Sequence, residues 1–388
     1  MMKRIYLDSA SATYLDKKVQ KAIRPIENIF FGNPSAIHQE GVLAKKYLEE
    51  SRKKISSCLQ VRPTEIIFTS GGTESNNLAI KGTAENWLIK KKKPGRIIIS
   101  AIEHKSVWEP VGKLADEGWD ICLAPVDENG QVDLSGLKKL INKNTCLISI
   151  GYVNSEIGAI QPLKEISYLI RKFRQNNSFP YFHSDACQAS RFLSLLPNEL
   201  GLDLMTVNGS KIYGPKGSGF LFKKRLIEIS PIIIGGSQEN DLRGGTENVS
   251  GIVGLSVALQ LAQEKRKEED RRLSQLRDYL AEQILKNIPN SIINGGMEKR
   301  VANNLNISFK GVSGEFLVLS LDALGIACST GSACNDSSEP SLVLLAIGRN
   351  KKQAQEAIRL SLDRKTTKKD LDYFLNILFE TISRLRQE

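Results

Sequence analysis

From about residue 65 to 225, short apolar runs alternate with longer stretches in which apolar residues recur at helical spacing. Ile66-Ile67-Phe68-Thr69, Arg96-Ile97-Ile98-Ile99-Ser100, Cys146-Leu147-Ile148-Ser149-Ile150, Tyr181-Phe182-His183-Ser184 and Asp203-Leu204-Met205-Thr206-Val207 are short and nearly continuous in apolar character. That pattern predicts strands covered on both faces. Between them, one helix is predicted through Leu78, Ile80 and Trp87, and another near Val107 to Asp116. A third starts at Pro162, a residue favoured in the first helical turn, and carries Ile166, Leu169, Ile170 and Phe173 on one face. Buried strands between amphipathic helices predict an α/β fold with a largely parallel sheet, which Ser218-Gly219-Phe220-Leu221-Phe222 closes.

Beyond residue 225 the rhythm changes. A long, heavily charged helical pattern from Val249 to about Leu285 reads as the connection into a second domain. An alternating strand follows at Asn304–Phe309, a helix at Gly314–Leu324, a helix at Lys351–Ile358, a strand at Ile358–Leu362 and a last helix at Lys368–Arg386. This is an α+β pattern. The chain has no internal repeat and no low-complexity segment.

Composition narrows the class. With 388 residues, 41% hydrophobic and 25% charged, the chain has the balance of a soluble globular protein. No apolar run approaches the roughly 18 residues a membrane helix needs. Met1 to Asp8 holds no apolar signal core, so no signal peptide and a cytoplasmic location are expected. The net charge of +11 favours acidic partners. The basic residues are dispersed, though, and the one dense run, Lys90 to Lys93, reads as a solvated loop. No nucleic-acid module is recognisable, so direct nucleic-acid binding is not expected. None of the six cysteines forms a C-x-x-C pair, which leaves no zinc or thioredoxin motif and no expected metal site. Cys122 and Cys146 lie in apolar runs and are expected in the core.

Ligands of parallel sheets gather at the carboxyl ends of the strands, and the candidate chemistry falls there. After the first strand, Ser70-Gly71-Gly72-Thr73-Glu74 opens a helix, where backbone N–H groups and the helix dipole favour an anion. After the second comes His104, either a satisfied core histidine or a functional imidazole. After a later strand comes Asp185, an acid that needs a cation or N–H partner if buried. After the next comes Lys211, in the Gly-rich stretch Asn208 to Gly217. A desolvated lysine there is able to attack a carbonyl. An anion cradle, an imidazole, an acid and a lysine together fit pyridoxal 5′-phosphate: the cradle takes its phosphate, the lysine its aldehyde and the acid its ring nitrogen.

The sequence resembles the NifS/IscS-type cysteine desulfurases of the class V aminotransferase group. The resemblance covers nearly the whole chain. It runs through Tyr6-Leu7-Asp8, Phe31 to Ser35, Phe68 to Ser75, Glu103-His104-Lys105, Glu156-Ile157-Gly158, Lys211 to Gly217, Arg243 to Thr246, and most diagnostically Ser329-Thr330-Gly331-Ser332-Ala333-Cys334 with Glu339-Pro340-Ser341. It implies the fold type I of PLP-dependent transferases, with a mostly parallel seven-stranded sheet in a large domain and a smaller α+β C-terminal domain. The expected division is 15–260 for the large domain, and 1–14 with 261–388 for the small one carrying the cysteine loop.

The resemblance also implies roles. Lys211 is the Schiff-base lysine, His104 stacks on the ring, Asp185 pairs with the ring nitrogen and Gln188 reaches the ring hydroxyl. Gly72 and Thr73 hold the phosphate, and Thr246 reaches the phosphate of the neighbouring subunit in a homodimer. Arg359 clamps the substrate carboxylate, Asn33 joins the substrate site, and Cys334 is the nucleophile that becomes a persulfide. The substrate is then L-cysteine, the product L-alanine, and the sulfur acceptor a protein such as an iron–sulfur scaffold or a tRNA-thiolation protein. The short polar stretch after Cys334 is expected to move, so that the persulfide meets its acceptor.

The chain departs from the family pattern at four places. Asn208-Gly209-Ser210 replaces Ser-Gly-His, so Ser210 brings no imidazolium to the phosphate. Ser155 replaces the second Asn before Glu-Ile-Gly, and Cys187 stands where threonine is frequent. The stretch from Cys334 to Glu339 is slightly short. The alternative readings are a selenocysteine lyase or another class V enzyme, and, from a different class, a weakly active sulfur-trafficking scaffold.

Overall fold

The computed structural model describes residues 4–175, 177–331 and 340–387. The chain opens with β1 (Ile5–Tyr6), α1 (Lys17–Asn28) and α2 (Gln39–Leu59). There follow β2 (Ile66–Thr69), α3 (Gly72–Lys91), β3 (Arg96–Ser100), α4 (Lys105–Asp116), β4 (Asp120–Ala124), α5 (Leu134–Leu140), β5 (Thr145–Ser149), α6 (Leu163–Arg174), β6 (Tyr181–Asp185), α7 (Pro197–Leu200), β7 (Leu204–Asn208) and β8 (Gly219–Lys223). After the single turn α8 (Gln238–Asp241) comes the long α9 (Val249–Asn287). The remainder comprises β9 (Ser291–Ile293), β10 (Asn304–Phe309), α10 (Gly314–Ala323), β11 (Ile326–Ala327), α11 (Leu342–Ala346), α12 (Lys351–Gln355), β12 (Ala357–Ser361) and α13 (Lys368–Leu385).

Seven strands form the main sheet in the order β2-β8-β7-β6-β5-β3-β4. Only β8 runs antiparallel to its neighbours. β2 and β5 are buried at every position, as are all but one residue of β3, β6, β7 and β8. This is why they read as unbroken apolar runs: helices cover both faces, and each face must shed water. The carboxyl ends of β2, β3, β5, β6 and β7 therefore open on one edge.

α9 is one continuous helix across position 260, where the sequence places the boundary between domains. Asn248 caps it, accepting from the N–H of Gly251 at 3.0 Å. A second, antiparallel sheet, β12-β10-β9, stands beyond it, and β1 pairs in parallel with β11. So the N-terminus is stitched to the C-terminal part, and Asp8 bridges Ser361.

The structure corrects four details. Cys122 is not a core residue: it lies half-buried on β4, an edge strand the apolar pattern does not announce. The helix expected to run to Ile358 stops at Gln355, because β12 takes up the chain from Ala357. Lys90 and Lys91 are not in a loop but form the last turn of α3, where cations complement the helix dipole. The alternating strand β10 is buried on both sides, its polar residues being paired rather than solvated. No helix among the described residues is long and apolar enough to cross a membrane.

Candidate active site

Five strand ends converge on a cavity of about 230 Å³. From β2 come Gly72 and Thr73, from β3 Glu103 and His104, from β5 Gly151, Asn154 and Ser155, from β6 Asp185, Cys187 and Gln188, and from β7 Asn208 and Lys211. Arg359 of β12 and the N-terminal Ala10 and Ser11 close it. The lysine, the acid, the imidazole and the cradle expected from sequence thus share one wall.

Lys211 is held by the N-terminal segment. Its Nζ donates to the carbonyls of Ala10 at 2.9 Å and Ser11 at 2.6 Å. The loop is fastened by Thr13, whose N–H donates to Ser210 O at 3.0 Å and whose hydroxyl accepts from Tyr213 N–H at 2.8 Å. Burial pulls the Lys211 amine below the usual lysine value. The amine therefore gives up its proton, and exposes its lone pair, more readily than a solvated lysine does.

Asp185 finds the donors its burial requires. Oδ2 accepts from Asn76 Nδ2 at 2.7 Å and Oδ1 from the N–H of Cys187 at 2.9 Å. Asn76 belongs to α3 and is fully buried, and nothing in the local pattern around Asp185 signals it. His104 caps α4: its Nδ1 faces the Ser106 hydroxyl at 2.8 Å and accepts from the Ser106 N–H at 3.1 Å. Burial pulls this imidazole down, while Asp185 acts the other way. The satisfied core histidine is instead His183, whose ring nitrogens meet Ser149 Oγ at 2.8 Å and Thr206 Oγ1 at 3.1 Å. Burial holds His183 down at about 4, so it is neutral at physiological pH.

The anion cradle lies at the start of α3. A shallow hollow there is bounded by Ser70, Gly71, Gly72, Thr73, Asn208, Ser210 and Lys216. Asn208 turns its Oδ1 to the N–H of Ser210 at 3.2 Å. Lys216 supplies a cation that the reading of the phosphate site did not assign. Gly72 is required by packing: a Cβ would stand 2.9 Å from Cys187 Sγ and 3.5 Å from Asn208 Cβ. Gly72→Ala is therefore expected to cost about 1–3 kcal/mol through overpacking. Cofactor retention, measured by absorbance after dialysis, falls, and adding Cys187→Ala restores much of it. Unchanged retention in the single variant counts against the close packing.

Arg359 is 1% exposed. Its Nη2 donates to Asp8 Oδ1 at 2.8 Å and Ser11 Oγ at 2.7 Å, and Nη1 to the carbonyl of Ser155 at 3.1 Å. Nε is buried and has no hydrogen-bond partner among the described residues. The sequence does not announce Asp8 as the acid that holds this guanidinium. Gln188 donates to Ala10 O at 2.9 Å, beside the Lys211 amine. Ser155 lines the cavity. Asn33 and Thr246 are exposed and line neither the cavity nor the hollow of their own chain. The Asn33 side chain is taken up locally, accepting from the Ser35 N–H at 2.9 Å. Cys334 lies outside the described residues.

These residues fit pyridoxal 5′-phosphate. The Gly72 cradle stands at a helix N-terminus, as a phosphate requires. A carboxylate and a desolvated amine stand on the same cavity wall. The comparisons with known proteins agree. The class-V aminotransferase family matches residues 5–374. The cysteine desulfurase IscS of Dictyoglomus turgidum is 44% identical, over 100% of this chain and 96% of that one. The cysteine desulfurase IscS 1 of Archaeoglobus fulgidus is 41% identical, over 98% and 97%. A solved NifS-like protein superposes with a TM-score of 0.92 at 33% identity, over 98% of this chain and 100% of that one. The solved complex of SspA with cysteine does so with a TM-score of 0.80 at 33% identity, over 93% and 99%. With its sheet, cavity and near full-length similarity, the chain belongs to the class-V aminotransferase family, among the pyridoxal phosphate-dependent cysteine desulfurases.

Proposed function

We propose that this chain converts L-cysteine to L-alanine, retains the sulfur as a persulfide on Cys334 and passes it to an acceptor protein. The observation that carries this reading is the convergence of Lys211, Asp185, His104, Gly72 and Arg359 on one cavity. When bound, pyridoxal phosphate supplies an aldehyde that captures the amino group and a ring that absorbs charge from the substrate Cα.

The protein's own groups do the rest. Gly72, Thr73, Asn208 and Ser210 would hold the phosphate, and Asp185 would hold the ring nitrogen. Gln188 and Ser155 would meet the ring hydroxyl, and His104 would cover the ring face. Lys211 moves the proton at the substrate Cα, a role suited to an amine whose affinity for protons burial has lowered. Arg359 orients the carboxylate with its planar fork. The Cys334 thiolate forms a bond to the substrate sulfur as the Cβ–S bond breaks. The electron pair of that bond goes to carbon, which takes up a proton, and alanine leaves.

A homodimer completes the site in this reading. Phe31, Ile37 and Ile234 are 74%, 97% and 87% exposed on one chain, and Thr246 lines neither the cavity nor the hollow described above. In this reading the partner chain covers these side chains. Sedimentation is expected to give a dimer at working concentration, and a fully active monomer overturns this part. We place the enzyme in the cytoplasm, with an iron–sulfur scaffold or a tRNA-thiolation protein as acceptor.

The test is stoichiometric release of alanine and reducible sulfur from cysteine by the reconstituted protein. Turnover of selenocysteine alone points to a lyase. Absence of turnover with acceptor binding intact points to a scaffold.

A further inference from the structure

Ser11 touches both cations on which the proposed reaction depends. Its carbonyl accepts from Lys211 Nζ at 2.6 Å, and its hydroxyl accepts from Arg359 Nη2 at 2.7 Å. The lysine follows β7 and the arginine lies on β12, so these groups meet at a single residue of the N-terminal segment. Ser11 lines the cavity they share. Main chain sets its place: the Ser11 N–H donates to Asp8 O at 3.1 Å, and the N–H of Ala10 before it donates to Ser361 Oγ at 2.9 Å.

The donors of Arg359 can be counted. A guanidinium has five N–H groups. Nη2 gives one to Asp8 Oδ1 at 2.8 Å and one to Ser11 Oγ, and Nη1 gives one to Ser155 O at 3.1 Å. The second Nη1 proton and the Nε–H remain, and Nε is buried. At the Nη end one proton is left for a carboxylate that has two oxygens. A hydroxyl that accepts a hydrogen bond still has its own proton to give. Among the described residues no acceptor takes the proton of Ser11.

We propose that Ser11 is a specificity-determining residue: with its oxygen held by Arg359, its hydroxyl donates to the substrate carboxylate beside the remaining Nη1 proton. This deepens the cysteine desulfurase reading and rests on it. In that reading the substrate amino group is captured at the aldehyde that Lys211 holds, and the carboxylate goes to Arg359. In an α-amino acid one carbon separates the two groups. Ser11 holds the two cations through its carbonyl and its hydroxyl, which keeps them close enough for that short span. An amine without a carboxylate leaves these donors unpaired and gains nothing from the hydroxyl.

The test uses protein reconstituted with pyridoxal phosphate, as wild type, Ser11→Ala and Ser11→Thr. Two probes bind without turnover: L-alanine, and ethylamine, which is the same molecule without the carboxylate. Binding is read from the cofactor absorbance, beside kcat and KM for L-cysteine. Ser11→Ala is expected to weaken L-alanine about tenfold and to raise KM for L-cysteine by a similar factor, with a much smaller change in kcat. Ethylamine is bound as weakly by this variant as by wild type. Ser11→Thr keeps a hydroxyl and recovers most of the affinity for L-alanine. Wild-type affinity for L-alanine in Ser11→Ala overturns the proposal. So does an equal loss for L-alanine and ethylamine, the result of a shifted Ser11 carbonyl alone. If Ser11→Ala does not retain the cofactor, Ser11→Thr and Ser11→Val, alike in shape, decide: the valine variant must bind L-alanine more weakly, and equal binding overturns the proposal. A wild type that neither binds L-alanine nor forms it from L-cysteine sinks the enzyme reading itself, which is a different result from an active wild type that Ser11→Ala matches.

Discussion

Lys211→Ala is expected to purify without the yellow colour of lysine-linked pyridoxal phosphate and to form alanine at least about a thousandfold more slowly than wild type. Among the described residues Lys211 is the one lysine lining the cavity of about 230 Å³, and Asp185 lines it too. The loss should be chemical rather than structural. Ala10 O keeps a donor in Gln188 Nε2, at 2.9 Å, and the loop remains fastened through Thr13. The melting temperature should therefore move little. Lys211→Arg separates charge from chemistry. It restores a cation near the two carbonyls, yet its guanidinium stays protonated and cannot attack an aldehyde. It should be as inactive as the alanine variant. Measured by absorbance and by alanine release, a coloured Lys211→Ala assigns the wrong lysine. A colourless wild type that cannot be reconstituted removes the cofactor from the account.

The interior strands were legible because burial on both faces imposes a sequence signature that does not depend on partners far away. β4 escaped because it is an edge strand, where only Ala124 is fully buried and the Asp120 end is solvated. The N-terminal helices α1 and α2 escaped because their apolar positions are sparse among Lys, Glu and Arg. In the site, the lysine, the acid, the histidine and the glycines were legible because each follows a strand. Their partners were not. Asn76 meets Asp185 from 109 positions away, and Asp8 meets Arg359 from 351 positions away. No local pattern encodes such pairings; they exist only once β1 joins β11 and α3 packs beneath the sheet edge. Asn33 and Thr246 show the complementary limit: both are exposed and line neither the cavity nor the hollow of their own chain.

Cys334→Ser is expected to keep the cofactor and still bind cysteine, while sulfur transfer falls by more than about a thousandfold. The cofactor-holding residues proposed here all lie before residue 250, whereas Cys334 comes after β11, so binding and sulfur transfer should separate. A serine hydroxyl is hardly ionised at neutral pH, while a thiol near its ordinary pKa supplies some thiolate. Three cysteines bear on the sulfur, and their surroundings differ. Burial pushes the Cys328 thiol up to about 12, and the Asp8 and Asp322 charges push the same way. Burial raises the Cys187 thiol well above its usual value, and Asp185 adds to it. Both are thus protonated thiols at neutral pH, unsuited to attack on sulfur. Cys328→Ser and Cys187→Ser should retain persulfide formation, assayed by radiolabelled sulfur on the protein under non-reducing conditions. A Cys334→Ser protein that still carries the label, beside a Cys328→Ser protein that does not, places the persulfide on Cys328. If each single variant releases sulfide at the wild-type rate, sulfide departs by elimination and no cysteine of this chain is the nucleophile.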